Sequence, residues 1–278
     1  MKNPPDPSPS AVSRSRGRRP TPPHRPTPAN ATALRVRRLP SRVDDVTYRD
    51  RAVYLPAAET LVVADLHVGR AEASDVAFPL GEGTDLRERL AALVGTFDPG
   101  AVVFAGDVLH RFDTATAAAE SGLADLVRVC REAGAEPVLV RGNHDTVLET
   151  VWDGDVFDEY VVGSAGDAGD SGVVVCHGHA EPEADASLYV AGHLHPAITI
   201  EGRRRPCYLY GDAADRGADV LVLPAFTRLA AGVPVNGMRG ETRSPLVDDV
   251  DAFRPLVYDE DAEETLSFPP LGEFRRML

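Results

Sequence analysis

Three residues of metal-ligand and acid–base type follow one another in the segment Gly142-Asn143-His144-Asp145. The apolar run at residues 137–141 precedes it, and an apolar run that ends at a glycine predicts a buried strand followed by a turn. Open α/β folds place their chemistry at the carboxyl ends of such strands. An amide, an imidazole and a carboxylate on one turn can bind a metal ion or transfer a proton.

Four other apolar runs lead into turns that carry residues of the same types. These residues are Asp65 and His67, Asp107, His177 and His179, and His193 and His195. Each turn alone is common turn chemistry, but together they predict a metal site. Carboxylate, amide and imidazole ligands without a thiolate suit Mn²⁺, Fe, Zn²⁺ or Co²⁺. The five turns together offer seven candidate ligands. This number is too large for one tetrahedral ion, and it fits two ions that share a carboxylate and clamp a phosphate.

The elements that must position these residues differ between the two halves of the chain. A helix from Thr84 to Phe97 and an alanine-rich helix over residues 114–133 are predicted between the first three strands. A break in the second helix is expected near Gly122. After His144 the pattern favours strands without intervening helices. The prediction is therefore an α/β fold of two packed mixed β-sheets with helices outside.

The N-terminal region differs in composition from the rest of the chain. Residues 1–33 hold nine prolines and are predicted to form a disordered basic tail, followed by one domain over residues 34–278. The tail is either a solvated extension, including the case of a start codon assigned too early, or a basic arm for nucleic acid. With no apolar leader and no apolar run long enough for a membrane span, we expect a cytoplasmic protein.

Charge is unevenly distributed along the sequence. Residues 1–42 carry ten Lys and Arg against one Asp, whereas the remaining 236 residues carry 19 against 42 Asp and Glu. Lys2 is the sole lysine of the chain. An acidic body almost free of lysine suggests a halophilic host, where high salt screens self-repulsion.

In combination, five motifs resemble those of the calcineurin-like metallophosphoesterase superfamily. The motifs are Asp65-x-His67, Gly106-Asp107, Gly142-Asn143-His144-Asp145, His177-Gly178 and Gly192-His193-x-His195. The resemblance implies a double β-sandwich flanked by helices and two divalent metal ions. Mn²⁺ is the first expectation, with Fe, Zn and Co as alternatives.

The resemblance also implies a role for each motif residue. One metal would be held by Asp65, His67 and His195, the other by Asn143, His177 and His193, with Asp107 bridging the two. A hydroxide held by both metals would attack phosphorus. His144 would donate a proton to the leaving oxygen or neutralise charge on the phosphate, and Asp145 would orient a neighbouring residue.

The bridging motif departs from that of the protein-phosphatase branch, which reads Gly-Asp-x-x-Asp-Arg-Gly. Here His110 stands three residues after Asp107, and a histidine at this place resembles the nuclease and phosphodiesterase branch. His110 is thus a second catalytic candidate, with a surface or supporting histidine as the alternative. Arg70 either holds a phosphate oxygen or forms an ordinary salt bridge. His179 either supports a ligand or faces the substrate.

The whole pattern resembles compact phosphoesterases related to the SbcD and break-repair nucleases, some of which are associated with DNA ligases. It implies a phosphodiester substrate, including DNA or RNA ends, and DNA repair or ligation proteins as partners. Those large nucleases carry an added DNA-capping domain after the last motif. Only about 80 residues follow His195 here, and many of them read as strands of the second sheet, so we do not expect a processive duplex nuclease. The alternatives are a phosphomonoesterase with the same metal site and a non-catalytic binding module on this fold.

Overall fold

The structure is a computed structural model that describes residue 1 and residues 45–71, 81–163 and 172–276. The chain divides into two units, Met1–Arg35 and Val36–Leu278. Apart from Met1, the predicted tail lies outside the described residues. The elements below all belong to the second unit.

The first sheet contains six strands among the described residues. They are β1 (Thr47–Arg49), β2 (Ala52–Leu55), β3 (Thr60–Val63), β4 (Ala101–Ala105), β5 (Glu136–Val140) and β6 (Val156–Phe157). They pair in chain order, with β3 to β6 parallel and the β1–β2 hairpin antiparallel to β3. The carboxyl ends of β3, β4 and β5 therefore meet at one edge, as the sequence predicts.

Two helices, α1 (Glu82–Phe97) and α2 (Ala117–Glu132), cover one face of this sheet. Helix α1 begins two residues before the predicted Thr84, and the Glu82 carboxylate accepts the backbone N–H groups of Arg70 and Ala71 at 3.1 and 2.8 Å. The side chain of Thr116 caps α2. The expected break in α2 is wrong, because the helix runs without interruption through Gly122.

Ten further strands follow in the second half of the described chain. They are β7 (Glu159–Val162), β8 (Val173–Cys176), β9 (Leu188–Ala191), β10 (Pro196–Ile200), β11 (Arg203–Pro206), β12 (Tyr208–Asp215), β13 (Ala218–Val222), β14 (Val233–Pro234), β15 (Arg254–Asp259) and β16 (Glu264–Ser267). Seven of them form a mixed sheet in the order β16-β15-β12-β13-β9-β8-β7, in which β8, β9 and β13 are parallel. The other three form a small sheet in the order β11-β10-β14.

Apolar side chains form three layers. One lies between the helices and the first sheet, and one between the two large sheets. The third covers the outer face of the second sheet with residues 235–274, which include the short helix α3 (Leu271–Phe274) and two 3₁₀ turns. The predicted fold class, two packed mixed sheets with helices outside, is confirmed. In the described ranges, no helix combines the length and apolar character needed to cross a membrane.

Candidate metal centre

Backbone hydrogen bonds join the loops that carry the candidate ligands. Beyond β3 and β4, the amides of Asp65 and His67 donate to the carbonyls of Gly106 and Asp107 at 3.1 and 2.9 Å. Beyond β8 and β9, the amide of Gly192 donates to the carbonyl of His177 at 3.0 Å. The parallel strands therefore continue as paired loops, which brings their polar residues to one place.

Five of the seven candidate ligands have a positive φ, a conformation that costs a non-glycine residue of the order of 1–3 kcal/mol. They are Asp65 (56°), His67 (49°), Asp107 (48°), His193 (69°) and His195 (44°). Such strain persists only where the surroundings enforce it, and it concentrates at functional sites. Most of the candidate ligands thus share this turn conformation, which eight other described non-glycine residues also adopt.

The motif glycines leave space for ligands of neighbouring loops. A Cβ built on Gly106 would overlap the ring of His177, and one built on Gly142 would overlap the backbone N and Oδ1 of Asp107. A Cβ on Gly192 would lie 2.7 Å from Oδ2 of Asp65. Each glycine is needed because a side chain from another strand end occupies the position of its missing Cβ.

The first group of ligand-type atoms comes from Asp65, His67, Asp107 and His195, which each offer one atom within 4.8 Å of the others. Nε2 of His195 lies 3.1 Å from Oδ1 of Asp65 and 3.3 Å from Nε2 of His67. Nε2 of His67 lies 3.9 Å from Oδ2 of Asp107. Asp65, His67 and Asp107 are buried, whereas His195 is partly exposed.

A second group surrounds Nε2 of His177. This atom lies 3.1 Å from Oδ1 of Asn143, 3.3 Å from Oδ1 of Asp107 and 3.3 Å from Nδ1 of His193. Nδ1 of His177 is 3.2 Å from the carbonyl of Ala105, to which it can donate, and in the neutral ring this donation leaves a lone pair on Nε2 for the group. The two oxygens of Asp107 therefore face different groups.

The separations within both groups fit coordination of divalent ions. Two ligand atoms about 2.1 Å from one ion are roughly 3.0–3.4 Å apart in octahedral or tetrahedral geometry. Five of the ligand-atom separations above fall between 3.1 and 3.3 Å. In addition, Nδ1 of His67 is buried without a hydrogen-bond partner in the described structure. The donor set of oxygens and imidazoles therefore fits Mn²⁺, Fe, Zn²⁺ or Co²⁺.

The electrostatics of the site also favour a cation. Burial lowers the pKa of His67 and of His193 to about 4, although Asp65 and Asp107 act in the opposite direction. Burial also acts to lower the pKa of His177, but Asp107 and Asp65 raise it above its usual value. Two buried carboxylates in one cluster thus create a demand for positive charge that a divalent ion can meet.

His144 lies beside the two groups. Its Nδ1 is 3.1 Å from the carbonyl of His110, and its Nε2 is 3.8 Å from Oδ2 of Asp107. Its ring stacks on Phe112 at a centroid distance of 3.9 Å, and Phe112 is 52% exposed. Phe112 is not among the residues predicted from the sequence, where its one signal is an aromatic residue two positions after His110. The carbonyl and the aromatic ring fix the orientation of the His144 imidazole.

Three further predicted residues lie around this centre. The ring of His110 is 5.7 Å from that of His67, and its Nδ1 is buried without a partner in the described chain. Burial and the positive charge of Arg70 lower the pKa of His110. His179 is exposed, with its ring 5.2 Å from that of His177. His110 and His179 thus lie near candidate ligands, and the backbone amide of Arg70 donates to the carbonyl of His67 at 3.0 Å.

Asp145 is fully buried and accepts three backbone hydrogen bonds. Its carboxylate receives the amides of Val108 at 3.1 Å, Leu109 at 2.9 Å and Gly142 at 2.9 Å. Burial raises its pKa against the effect of these three bonds. Asp145 therefore fastens the loop after β4 to the loop after β5, which supports an orienting role exerted through the backbone.

A cleft of about 700 Å³ opens onto the two groups. It is lined on one side by Asp107, Asn143, His144, His193 and His195, and elsewhere by Leu194, Val233, Met238, Glu241, Thr242 and Arg243. No site residue was predicted in the segment 233–243, because this segment has no motif. The parallel pairing of β14 with β10 brings this segment to the cleft.

Comparison with known proteins gives matching solved structures and one family profile. A nuclease MPE of Pseudomonas putida is 26% identical, with a TM-score of 0.51 and coverage of 79% of this chain and 92% of that protein. A phosphoesterase of E. coli, Yfce, is 15% identical, with a TM-score of 0.39 and coverage of 76% and 98%. No curated protein sequence matches the chain. The profile of the calcineurin-like phosphoesterase family matches residues 59–222, well over half of the sequence. This chain belongs to the calcineurin-like phosphoesterase family.

Proposed function

We propose that the chain hydrolyses phosphodiester bonds of nucleotides or nucleic acids with the aid of two divalent metal ions. The observation that carries the proposal is the position of Asp107. Its Oδ1 lies 3.3 Å from Nε2 of His177, and its Oδ2 lies 3.9 Å from Nε2 of His67. One carboxylate that faces two groups of ligand-type atoms is the arrangement that two ions sharing a ligand require.

Under this proposal each group holds one ion. Asp65, His67 and His195 would hold one, Asn143, His177 and His193 would hold the other, and Asp107 would contact both. Bound divalent ions polarise a phosphoryl oxygen and lower the pKa of water, so that a nucleophile is available near neutral pH. Mn²⁺ is our first candidate, because oxygen and imidazole ligands suit it.

The protein's own groups would orient the substrate and move a proton. The carbonyl of His110 accepts from Nδ1 of His144, so Nε2 of that ring points towards Asp107 and the cleft. In the protonated ring this Nε2–H can donate to the leaving oxygen of the substrate. His110, with its buried and unpartnered Nδ1, is the second candidate for contact with the phosphate.

Two observations favour a diester over a monoester. His110 occupies the position where the resemblance implies a nuclease or phosphodiesterase, and the Pseudomonas putida protein, 26% identical over most of its length, is named a nuclease. The cleft of about 700 Å³ also leaves room for groups on both sides of a phosphate. DNA repair or ligation proteins are the partners that we propose from the same resemblance.

The proposal is tested with a matched pair of small substrates. The full chain, loaded with Mn²⁺, is assayed on bis-p-nitrophenyl phosphate and on p-nitrophenyl phosphate under identical conditions. We expect kcat/KM to be at least about tenfold higher for the diester, a difference of about 1.4 kcal/mol in transition-state stabilisation. A preference for the monoester would replace the proposal by a phosphomonoesterase. Bound metal without hydrolysis of either compound would instead indicate a binding module.

A further inference from the structure

A second, smaller cavity adjoins the metal cleft. Its volume is about 280 Å³, and His195 lines both cavities. Among the residues that the structure describes, three arginines line it, Arg51, Arg204 and Arg228, and no acidic residue does. The cavity thus presents positive charge directly beside a candidate metal ligand.

This positive charge stands out from the composition of the domain. Residues 43–278 contain 42 Asp and Glu against 19 Arg, so an average surface region would carry more acidic than basic side chains. Here the basic side chains cluster without acidic ones in the lining. A cavity lined by arginines with no acid among them is a place where an anion is favoured.

Arg51 lines the cavity although its backbone conformation is unfavourable. It lies in the β1–β2 turn at φ 66°, a conformation unfavourable for a residue with a long side chain. One guanidinium nitrogen, Nη1, donates to the carbonyls of Ala225 and Thr227 at 3.2 and 2.7 Å. Within the described ranges it forms no ion pair with a carboxylate. Burial and the nearby positive charges of Arg89 and Arg228 lower its pKa to about 10, against the opposite effect of Asp50 and Glu260.

The other two arginines differ in the ion pairs and hydrogen bonds that they form. Arg228 forms ion pairs with Asp85 at 3.1 Å and with Asp50 at 3.6 Å. Arg204 is exposed and makes one long hydrogen bond, from Nη1 to the carbonyl of Gly232 at 3.4 Å. Arg51 and Arg204 therefore keep donors that the described part of the protein does not use.

We propose that this arginine pocket, lined by Arg51, Arg204 and Arg228, binds a second phosphate of the substrate strand, next to the one that is cleaved. The inference rests on the proposed function, because it assumes a nucleic-acid strand in the metal cleft. Guanidinium groups bind phosphate through paired N–H donors, and the shared His195 makes the two cavities neighbours. The pocket then orients the strand relative to the metal centre and selects polymers over isolated diesters.

The test measures binding without metal, so that it does not depend on catalysis. A fluorescent single-stranded oligothymidylate of about 12 nucleotides is titrated with the full chain in EDTA, at several KCl concentrations, by anisotropy. Arg204→Gln is compared with Arg205→Gln. Arg205 precedes Pro206 on the same exposed strand, and alternation along β11 directs it to the opposite face.

We expect Arg204→Gln to weaken binding and to reduce the slope of log Kobs against log[KCl] by about 0.7, the value for one lost phosphate contact on a single strand. Arg205→Gln removes the same charge and should leave the slope unchanged. If the two substitutions changed binding equally, the change in net charge would explain both effects, and the proposal would be overturned. An unmeasurable affinity of the wild-type chain would overturn it as well.

A second variant tests the pocket from the other side. Arg51→Gln should reduce the slope by a similar amount, and its Tm is measured in parallel because Arg51 also bonds to Ala225 and Thr227. Hydrolysis of bis-p-nitrophenyl phosphate with Mn²⁺ is recorded separately for the wild type. If the pocket variants bind the oligothymidylate more weakly than Arg205→Gln does but the wild type hydrolyses no diester, only the proposed function is refuted. If the wild type hydrolyses the diester but the variants bind equally well, only the pocket is refuted.

Discussion

At the scale of single residues, both carboxylate oxygens of Asp107 have polar neighbours. His67, His144 and His177 face its carboxylate, and the amide of His144 donates to its Oδ1 at 2.9 Å. Burial would raise the pKa of Asp107, but the hydrogen bond from the protonated ring of His177, the positive charge of that ring and the backbone N–H of His144 hold it below the usual range. Asp107 is therefore ionised and ready to act as a metal ligand.

Replacement of Asp107 by asparagine tests this role. The variant keeps the shape of the side chain and an oxygen that can accept from His144, but it removes the negative charge between the two groups. We expect less bound Mn²⁺ per chain after dialysis and a loss of at least about 100-fold in kcat/KM, because even residues that only support ligands change activity by 10- to 100-fold. Metal analysis and steady-state kinetics measure the two effects.

The matched control is Asp113→Asn. Asp113 is exposed on the same loop and pairs with Arg111 at 3.3 Å, so its loss should leave metal content and rate within about twofold. Unchanged activity of the Asp107 variant would contradict the assignment of that residue.

The glycines of the motifs give a second prediction at this scale. Gly142→Ala places a methyl group against the buried backbone and carboxylate of Asp107, where no atom can move aside. We expect a loss of about 2–4 kcal/mol in the free energy of unfolding, measured by urea denaturation. Gly237→Ala, where a Cβ meets open space, is the control and should be nearly neutral. A similar small effect at both positions would show that the loops around Asp107 are not tightly packed.

At the scale of elements, the space around a glycine differs between helices α1 and α2. In α1, a Cβ on Gly95 would meet nothing within 4 Å. In α2, a Cβ on Gly122 would lie 2.6 Å from Cγ1 of Val68, a buried and stiff side chain that directly follows His67. The helix surface at Gly122 thus sets how closely α2 approaches the first candidate ligand group.

The same substitution should therefore have opposite signs in the two helices. Gly95→Ala should stabilise the protein by about 0.5–1 kcal/mol, because alanine restricts the unfolded chain and favours helix. Gly122→Ala gains the same propensity but must displace Val68, so we expect a net loss of about 1–2 kcal/mol. Urea unfolding of both variants measures the difference. Stabilisation by Gly122→Ala would mean that α2 can move away from Val68 without cost.

The sequence predicted those elements whose own residues carry a pattern. The parallel strands of the first sheet and their polar ends are confirmed, because each apolar run and its turn are local features. The start of α1 was predicted too late, since Glu82 is fixed by a tertiary contact with the backbone of Arg70 and Ala71. The cleft residues Met238 to Arg243 were missed because pairing of β14 with β10, not a local pattern, brings them there.

At the scale of the whole molecule, the negative net charge of the protein repels the proposed substrate, which is also negative. The chain carries a net charge of −14, and nucleic acid is also negative, so long-range repulsion acts against encounter at low salt. Under the two proposals above, the bound divalent ions and the arginine pocket would attract the substrate at short range, where screening is weak. High salt removes the repulsion first, which would reconcile an acidic surface with a phosphodiester substrate.

The same charge predicts how stability responds to salt. Repulsion among the excess carboxylates destabilises the compact state, and the screening length falls from about 10 Å at 0.1 M salt to about 3 Å at 1 M. We therefore expect the Tm of the full chain to rise with KCl by several degrees across this range, since about 1 kcal/mol corresponds to roughly 2–4 °C for a domain of this size. Sucrose is the control, because it is excluded from protein surfaces but screens no charge, and it separates screening from preferential exclusion. A Tm that is flat or falls in KCl would show that self-repulsion does not limit this fold, and the inference of a halophilic host would lose its physical basis.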